Sequence, residues 1–135
     1  MNVTFEVNDI PQKAAIISLY KANHWSSANK SDELYMAIKN SQMIVSAYNF
    51  EKLVGFGNAL SDGHLVVYYP HLLVHPDFHG KGIGTSIMKI FQKTYSGFHQ
   101  QILVADAKAI DFYRKCGFDK GGQTQSMWIY QGDDH

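Results

Sequence analysis

The sequence predicts an α+β domain with a mixed, mostly antiparallel sheet flanked by helices, in the order β-α-α-β-β-β-α-β-α-β. Three observations predict it. Apolar residues alternate with polar ones near the amino terminus, and short β-rich runs follow from Met43. Apolar residues also recur at three- and four-residue spacing in several stretches. A glycine-rich turn separates the run HLVVYYPHLLV from the longest of those stretches.

Val3, Phe5 and Val7 have the period of a strand, and Asp9 before Pro11 offers a helix start. Ala14, Ala15, Ile16, Leu19 and Tyr20 continue at helical spacing. The polar stretch Lys21 to Lys30, interrupted by Trp25, reads as a loop. Ser31 is the expected N-cap of a second helix. Asp32 and Glu33 fall in its first turn, where the helix dipole favours negative charge, and Leu34, Tyr35 and Ile38 form its buried stripe.

MIVSAY and LVGFGNAL are β-rich runs parted by the turn-prone Asn49 to Lys52, and Asp62-Gly63 is a two-residue hairpin signal leading into HLVVYYPHLLV. The expectation is a three-stranded antiparallel meander. Pro70 cannot donate a ladder hydrogen bond, so the last strand should bulge or split there. After HPDFHGKGIG, the spacing of Ile83, Ile87, Ile90, Phe91 and Tyr95 predicts an amphipathic helix ending near Gly97. QILVA reads as a buried strand. A helix from Lys108 to Cys116 presents Ile110 and Tyr113 on one face and stops at Gly117, a left-handed C-cap. MWIY is expected as the last strand.

A chain of 135 residues, 45% apolar, fits one domain over 1-135 with a core of its own. Twelve basic and twelve acidic residues leave no surplus charge for a phosphate backbone, which argues against a nucleic acid partner. Cys116 is the single cysteine, which excludes an intrachain disulfide and a multi-cysteine metal site and suits a reducing compartment. MNVTFEVNDI lacks the basic start and apolar run of a signal peptide, and no apolar stretch approaches the roughly 20 residues of a membrane span. A cytoplasmic protein with no membrane partner is expected. Exposed strand edges permit a homodimer without requiring one.

A strand, a glycine-rich turn and a helix in succession place several backbone N–H groups at a helix N-terminus, where unpaired donors and the dipole attract phosphate. Gly80, Gly82 and Gly84 give G-x-G-x-G, which is neither the dinucleotide fingerprint G-x-G-x-x-G nor a P-loop, since Lys81 is misplaced for the latter. His71, His75 and His79 recur every four residues, but Pro70 and Pro76 argue against a helix across them, so no metal site is expected. Cys116 reads as a small buried thiol, with no histidine beside it in sequence to lower its pKa.

The segment VHPDFHGKGIGTSIM resembles the central motif of the GNAT superfamily of N-acetyltransferases, Val-x-Pro followed by Gln or Arg-x-x-Gly-x-Gly or Ala. Val74, Pro76, Gly82 and Gly84 match, and His79 stands where the family usually carries Gln or Arg. VADAKAIDFYRKCGF is similar to the family's second CoA-binding element: Ala109, Phe112, Tyr113, Gly117 and Phe118 match, with Asp106 in place of the usual Asn. The match runs roughly from Leu53 to Phe118, and the first forty residues agree in layout only.

The resemblance implies transfer of an acetyl group from acetyl-CoA to a primary amine by direct attack in a ternary complex, with no metal. The alternative is a catalytically idle acyl-CoA binding or sensing module. It implies cofactor contacts from Leu72, Leu73 and Val74, from His79, Gly80, Lys81, Gly82, Ile83, Gly84 and Thr85, and from Asp106, Ala109, Phe112 and Tyr113. It also implies an oxyanion donor in the backbone near Leu73, with Pro70 as a local reason for lost pairing, and Tyr113 as the acid for the departing thiolate. An amine of pKa ~10 needs help to lose its proton, and His71 is the candidate base, with Tyr68 in a water chain. The acceptor, expected to be a small-molecule amine, would meet Tyr20, Trp25 and Tyr35, whose rings could hold a cation.

Overall fold

A computed structural model describes residues 2–134. Five strands form one sheet in sequence order: β1 (Val3–Val7), β2 (Met43–Asn49), β3 (Lys52–Ser61), β4 (Val66–Val74) and β5 (Gln100–Leu103). The first four pair antiparallel, and β5 joins β4 in parallel, so the sheet is mixed as expected. The parallel pair is joined by α3 (Ile83–Thr94), the kind of crossover that parallel neighbours require. Helices α1 (Lys13–Ala22) and α2 (Ser31–Lys39) precede the meander, and α4 (Ile110–Lys115) follows β5.

The two faces of the sheet bury separate cores. On one, Val45, Ala47, Val54, Val67 and Tyr69 meet Ile83, Ile87, Met88 and Phe91 of α3. On the other, Ile44, Leu53, Phe56 and Leu73 meet Ile16, Leu19 and Tyr20 of α1 and Leu34 and Ile38 of α2. Strands β2 and β3 are covered on both sides, which is why their sequences read as nearly unbroken apolar runs.

Gly55 and Gly57 decide how closely α3 lies on the sheet. A Cβ at Gly57 would come within 2.9 Å of the Phe91 ring, and one at Gly55 within 2.9 Å of Ile83. Only glycine leaves room there for the helix that carries the glycine loop at its N-terminus. Neither stands out within its apolar run, because the helix each admits lies far along the chain.

Several boundaries differ from expectation. Helix α1 begins at Lys13, because Asn8 turns the chain with φ 58° and its side-chain oxygen accepts the Ile44 N–H instead. Ser31 is the first residue of α2, not its cap, while Asp32 and Glu33 do occupy the first turn. The Asp62-Gly63 turn is longer than two residues: the Asp62 carboxylate accepts N–H bonds from His64, Leu65 and Val66, which organises a wider loop. The last helix is split into a 3-10 turn (Ala107–Ala109) and α4, and Gly117 ends it with φ 98° as expected.

MWIY is not a strand. Residues 123–129 carry no strand pairing, and Met127 and Ile129 are exposed. The tail is held by its end instead: the Asp134 carboxylate accepts from the Ser26 N–H and hydroxyl and from the Tyr130 hydroxyl. These bonds fasten it to the segment between α1 and α2, on the sheet face opposite α3.

Candidate active site

Strand β4 loses one of its two partners partway along. Its pairing with β5 ends at Tyr69 opposite Leu103, one residue before Pro70. Against β3, Asn58 faces His71 and Leu60 faces Tyr68, so Tyr69 and Pro70 together oppose Ala59. This is a bulge of one residue, at the position where proline cannot donate.

The extra residue reverses which side chains face which way. Val67 and Tyr69 pack into the α3-side core, yet Leu73, of the same parity, packs into the α1–α2 core. A one-residue slip flips every later side chain across the sheet. His71 is thereby turned toward Tyr20 and Trp25 instead of lying under α3.

The backbone follows the same alternation. The His71 N–H reaches Asn58 Oδ1 at 3.1 Å and the His75 N–H reaches the Val54 carbonyl at 2.8 Å, both on β3. Leu73 lies between them in the same phase and directs its N–H to β3. Leu72 and Val74 direct theirs to the other edge, beyond the end of the β5 pairing. The N–H groups near Leu73 that face away from β3 are therefore those of its neighbours, and Leu73 itself contributes a buried side chain.

At the end of β4 a 3-10 turn (Pro76–Phe78) leads into the glycine loop. Gly80 and Gly82 have φ of 75° and 81°, values that disfavour any side chain, and a Cβ at either would meet nothing within 4 Å. Gly82 caps α3, and the first helical bond runs from the Ser86 N–H to the Gly82 carbonyl at 3.0 Å. The N–H groups of Ile83, Gly84 and Thr85 consequently lack helical acceptors. Left-handed turns, an open approach and a helix N-terminus suit a pyrophosphate, with exposed Lys81 beside them.

His79 supports this loop. Its Nε2 donates to the Val74 carbonyl at 2.7 Å, which ties the glycine loop back to β4. Gly84 serves another purpose, since a Cβ there would lie 3.1 Å from the Phe112 ring and 3.7 Å from Val74. Helix α4 is thus seated against the start of α3 through Phe112.

Asp106 caps the 3-10 turn before α4, its carboxylate accepting the Lys108 N–H at 3.1 Å and its carbonyl the Ala109 N–H at 2.8 Å. The Tyr113 ring lies between Phe112 and Phe118, with centroids 5.0 and 6.1 Å away. Burial, and secondarily Cys116, pushes the Tyr113 hydroxyl up to about 12, so it is protonated throughout the neutral range. The Cys116 thiol is raised by burial, with Lys89 acting weakly in the opposite sense, which makes it a poor nucleophile.

On the opposite face, Tyr20, Trp25 and His71 form a cluster of edge-to-face rings with centroids 5.4 to 5.6 Å apart. The Tyr20 hydroxyl lies 2.8 Å from His71 Nδ1. Tyr20 is 0% exposed, so it supports this cluster from below and cannot contact an acceptor as expected. Tyr68 is half-buried, and desolvation raises its pKa. Tyr35 is engaged elsewhere: its hydroxyl donates to the Pro11 carbonyl at 3.2 Å and Lys39 sits over its ring. The three histidines spaced by four have separate surroundings, His75 Nδ1 accepting the Asp77 N–H while His71 and His79 make the contacts already given.

A strand edge released beside a glycine-capped helix N-terminus defines an α+β domain with a groove suited to an extended, phosphate-bearing ligand. The family model described as an acetyltransferase (GNAT) domain matches residues 39–120, more than half of the chain, and the chain belongs to that family. It is 35% identical over 101 residues to an uncharacterised N-acetyltransferase, ycf52, of Porphyra purpurea. That match covers 69% of this chain and 58% of the relative, so the chain spans well under two thirds of the relative's length. A solved GNAT family acetyltransferase from Streptococcus pneumoniae TIGR4 superposes with a TM-score of 0.84 at 26% identity, covering 97% of this chain and 100% of that one. An aminoglycoside acetyltransferase from an uncultured soil sample, solved with sisomicin, shares the fold: TM-score 0.71, 21% identity, 98% and 97% coverage. No helix among the described residues is long and apolar enough to cross a membrane.

Proposed function

We propose that this chain transfers the acetyl group of acetyl-CoA to a primary amine of a small molecule by direct attack. The observation that carries this reading is the end of the β4–β5 pairing at Tyr69, which leaves the Leu72 and Val74 N–H groups facing the open edge beside the glycine loop.

In this reading the N–H groups of Ile83, Gly84 and Thr85 hold the pyrophosphate, and the β4 edge holds the pantetheine arm. Leu72 or Val74 donates to the thioester oxygen as it gains charge. A single such donor is worth ~3 to 4 kcal/mol in other acyl transfers. The amine nitrogen bonds to the acetyl carbon, the carbon–sulfur bond breaks, the thiolate takes the Tyr113 hydroxyl proton, and the proton that the nitrogen sheds on becoming an amide passes to solvent, from which Tyr113 is reprotonated. An amine arriving as its ammonium first loses a proton, and His71 with Tyr68 is what the opposite face offers for that loss, directly or through solvent.

A small amine is favoured by the face around His71 and Trp25, where aromatic rings can hold a cation. The experiment is a thermal-shift titration with acetyl-CoA, followed by a thiol assay of CoA release with a panel comprising an alkylamine, a polyamine and an aminoglycoside. A raised melting temperature with CoA release is expected. Absence of any shift in excess acetyl-CoA overturns the reading, and a shift without turnover on any amine favours an idle binding module.

A further inference from the structure

Asn58 stands on β3 opposite His71, the first residue of β4 beyond the bulge, and is only 4% exposed. The His71 N–H meets one terminal atom of the Asn58 side chain at 3.1 Å. A backbone N–H can only donate, so that atom is Oδ1 and the orientation of the amide is settled. Nδ2 then donates to the Ser41 hydroxyl at 3.0 Å, and Ser41 sends its own proton to the Ala37 carbonyl at 2.9 Å. That carbonyl lies in the last turn of α2, and the Ser41 N–H bonds to Ile38 instead. The amide is thus held from α2 and holds β4 in turn.

The bulge has two places to sit. Leu60 opposite Tyr68 and Gly57 opposite Leu72 fix the register on either side, and between those rungs β3 has Ala59 and Asn58 while β4 has Tyr69, Pro70 and His71. The extra residue can be accommodated with Tyr69 and Pro70 against Ala59, or with Pro70 and His71 against Asn58. In the second arrangement His71 lies within the bulge, where the ladder is disrupted and the strand bends. The fold has the first, and the Asn58 side chain takes the N–H that distinguishes it.

We propose that Asn58 is a positioning residue: its side-chain oxygen takes the first N–H after the bulge, keeps the extra residue at Tyr69 and Pro70, and so holds His71 on the ladder with its ring beside Tyr20 and Trp25. This rests on the reading that His71 receives the proton of the acceptor amine. Leu72 and Val74 lie past the Gly57 rung, so the open edge is kept whichever way the bulge sits.

The test compares Asn58→Leu, which fills similar space without polar atoms, with Asn58→Asp, which keeps an oxygen for the His71 N–H. Hydrogen exchange of the His71 amide, followed by NMR in the full chain without ligands, should speed up at least about tenfold in N58L and stay slow in N58D. In CoA release with the amine panel, N58L should lose about tenfold or more in turnover number at little change in acetyl-CoA affinity, and N58D should retain most of the rate whatever its melting temperature. If N58L does not fold, Asn58→Ser, whose hydroxyl stops short of the His71 N–H, takes its place with the same expectation. Wild-type exchange at His71 in the leucine or serine variant overturns the proposal. Equal loss of turnover in the polar-free and aspartate variants would mean that Asn58 serves packing alone, and also overturns it. If the wild type turns over no amine, the acetyl-transfer reading fails while the exchange rates still decide what holds the bulge.

Discussion

The His79 imidazole and the Val74 carbonyl are joined by a 2.7 Å hydrogen bond that spans the turn between β4 and the glycine loop. The strand edge and the helix N-terminus are thereby held in one geometry by a side chain. A carbonyl can only accept, so His79 Nε2 carries hydrogen.

Replacing His79 with alanine should weaken acetyl-CoA binding several-fold, the size expected from one neutral hydrogen bond of ~1 kcal/mol. His79→Gln keeps an amide donor of similar reach and should restore most of the affinity. Isothermal titration of both variants checks this, and equal weakening in the two would count against the brace.

Gly82→Ala tests the loop conformation. Space is open around the position, so steric clash is not the obstacle. The left-handed φ of 81° is, at roughly 1–2 kcal/mol for a residue with a Cβ. A lower melting temperature and weaker acetyl-CoA binding are expected together. Unchanged binding would show that the loop tolerates another backbone shape.

Gly57→Ala acts by the opposite mechanism. Its Cβ would lie 2.9 Å from Phe91 and 3.2 Å from Ile87, so α3 must lift from the sheet. Overpacking of this kind costs about 1–3 kcal/mol, readable in a urea melt. Loss of acetyl-CoA affinity should accompany it, because the moving helix carries the phosphate-facing N–H groups.

Tyr113→Phe should lower the turnover number about a hundredfold, the lower range for a general acid, with little change in acetyl-CoA binding. Its raised pKa also has a stability consequence. The Tyr113 hydroxyl is held at about 12 in the fold against 10.0 ordinarily, so the folded chain keeps a proton that the unfolded one releases. That contribution is complete below pH 10 and is lost as pH rises through about 12. Buried Tyr20 and Tyr69 shift in the same direction. Melting temperature should therefore fall steeply above pH 10, and less steeply in Tyr113→Phe.

The meander, the long amphipathic α3 and the left-handed end of α4 were legible because each depends on local periodicity or on a single glycine. The glycine loop was legible for the same reason, as glycines before an amphipathic helix mark an N-terminus wherever they occur. MWIY misled: its apolar run is strand-like, but a strand also needs a paired edge, and the chain ties its end to Ser26 by Asp134 instead.

By itself the sequence determined the three-stranded meander, the glycine loop and the place where β4 had to break, since Pro70 lacks a donor wherever it is put. Tertiary structure alone decided which way that break turned the chain. The bulge against Ala59 reversed side-chain parity, sending His71 to Tyr20 and passing the outward N–H role from Leu73 to Leu72 and Val74. Register is a relation between strands, and no window of one strand contains it.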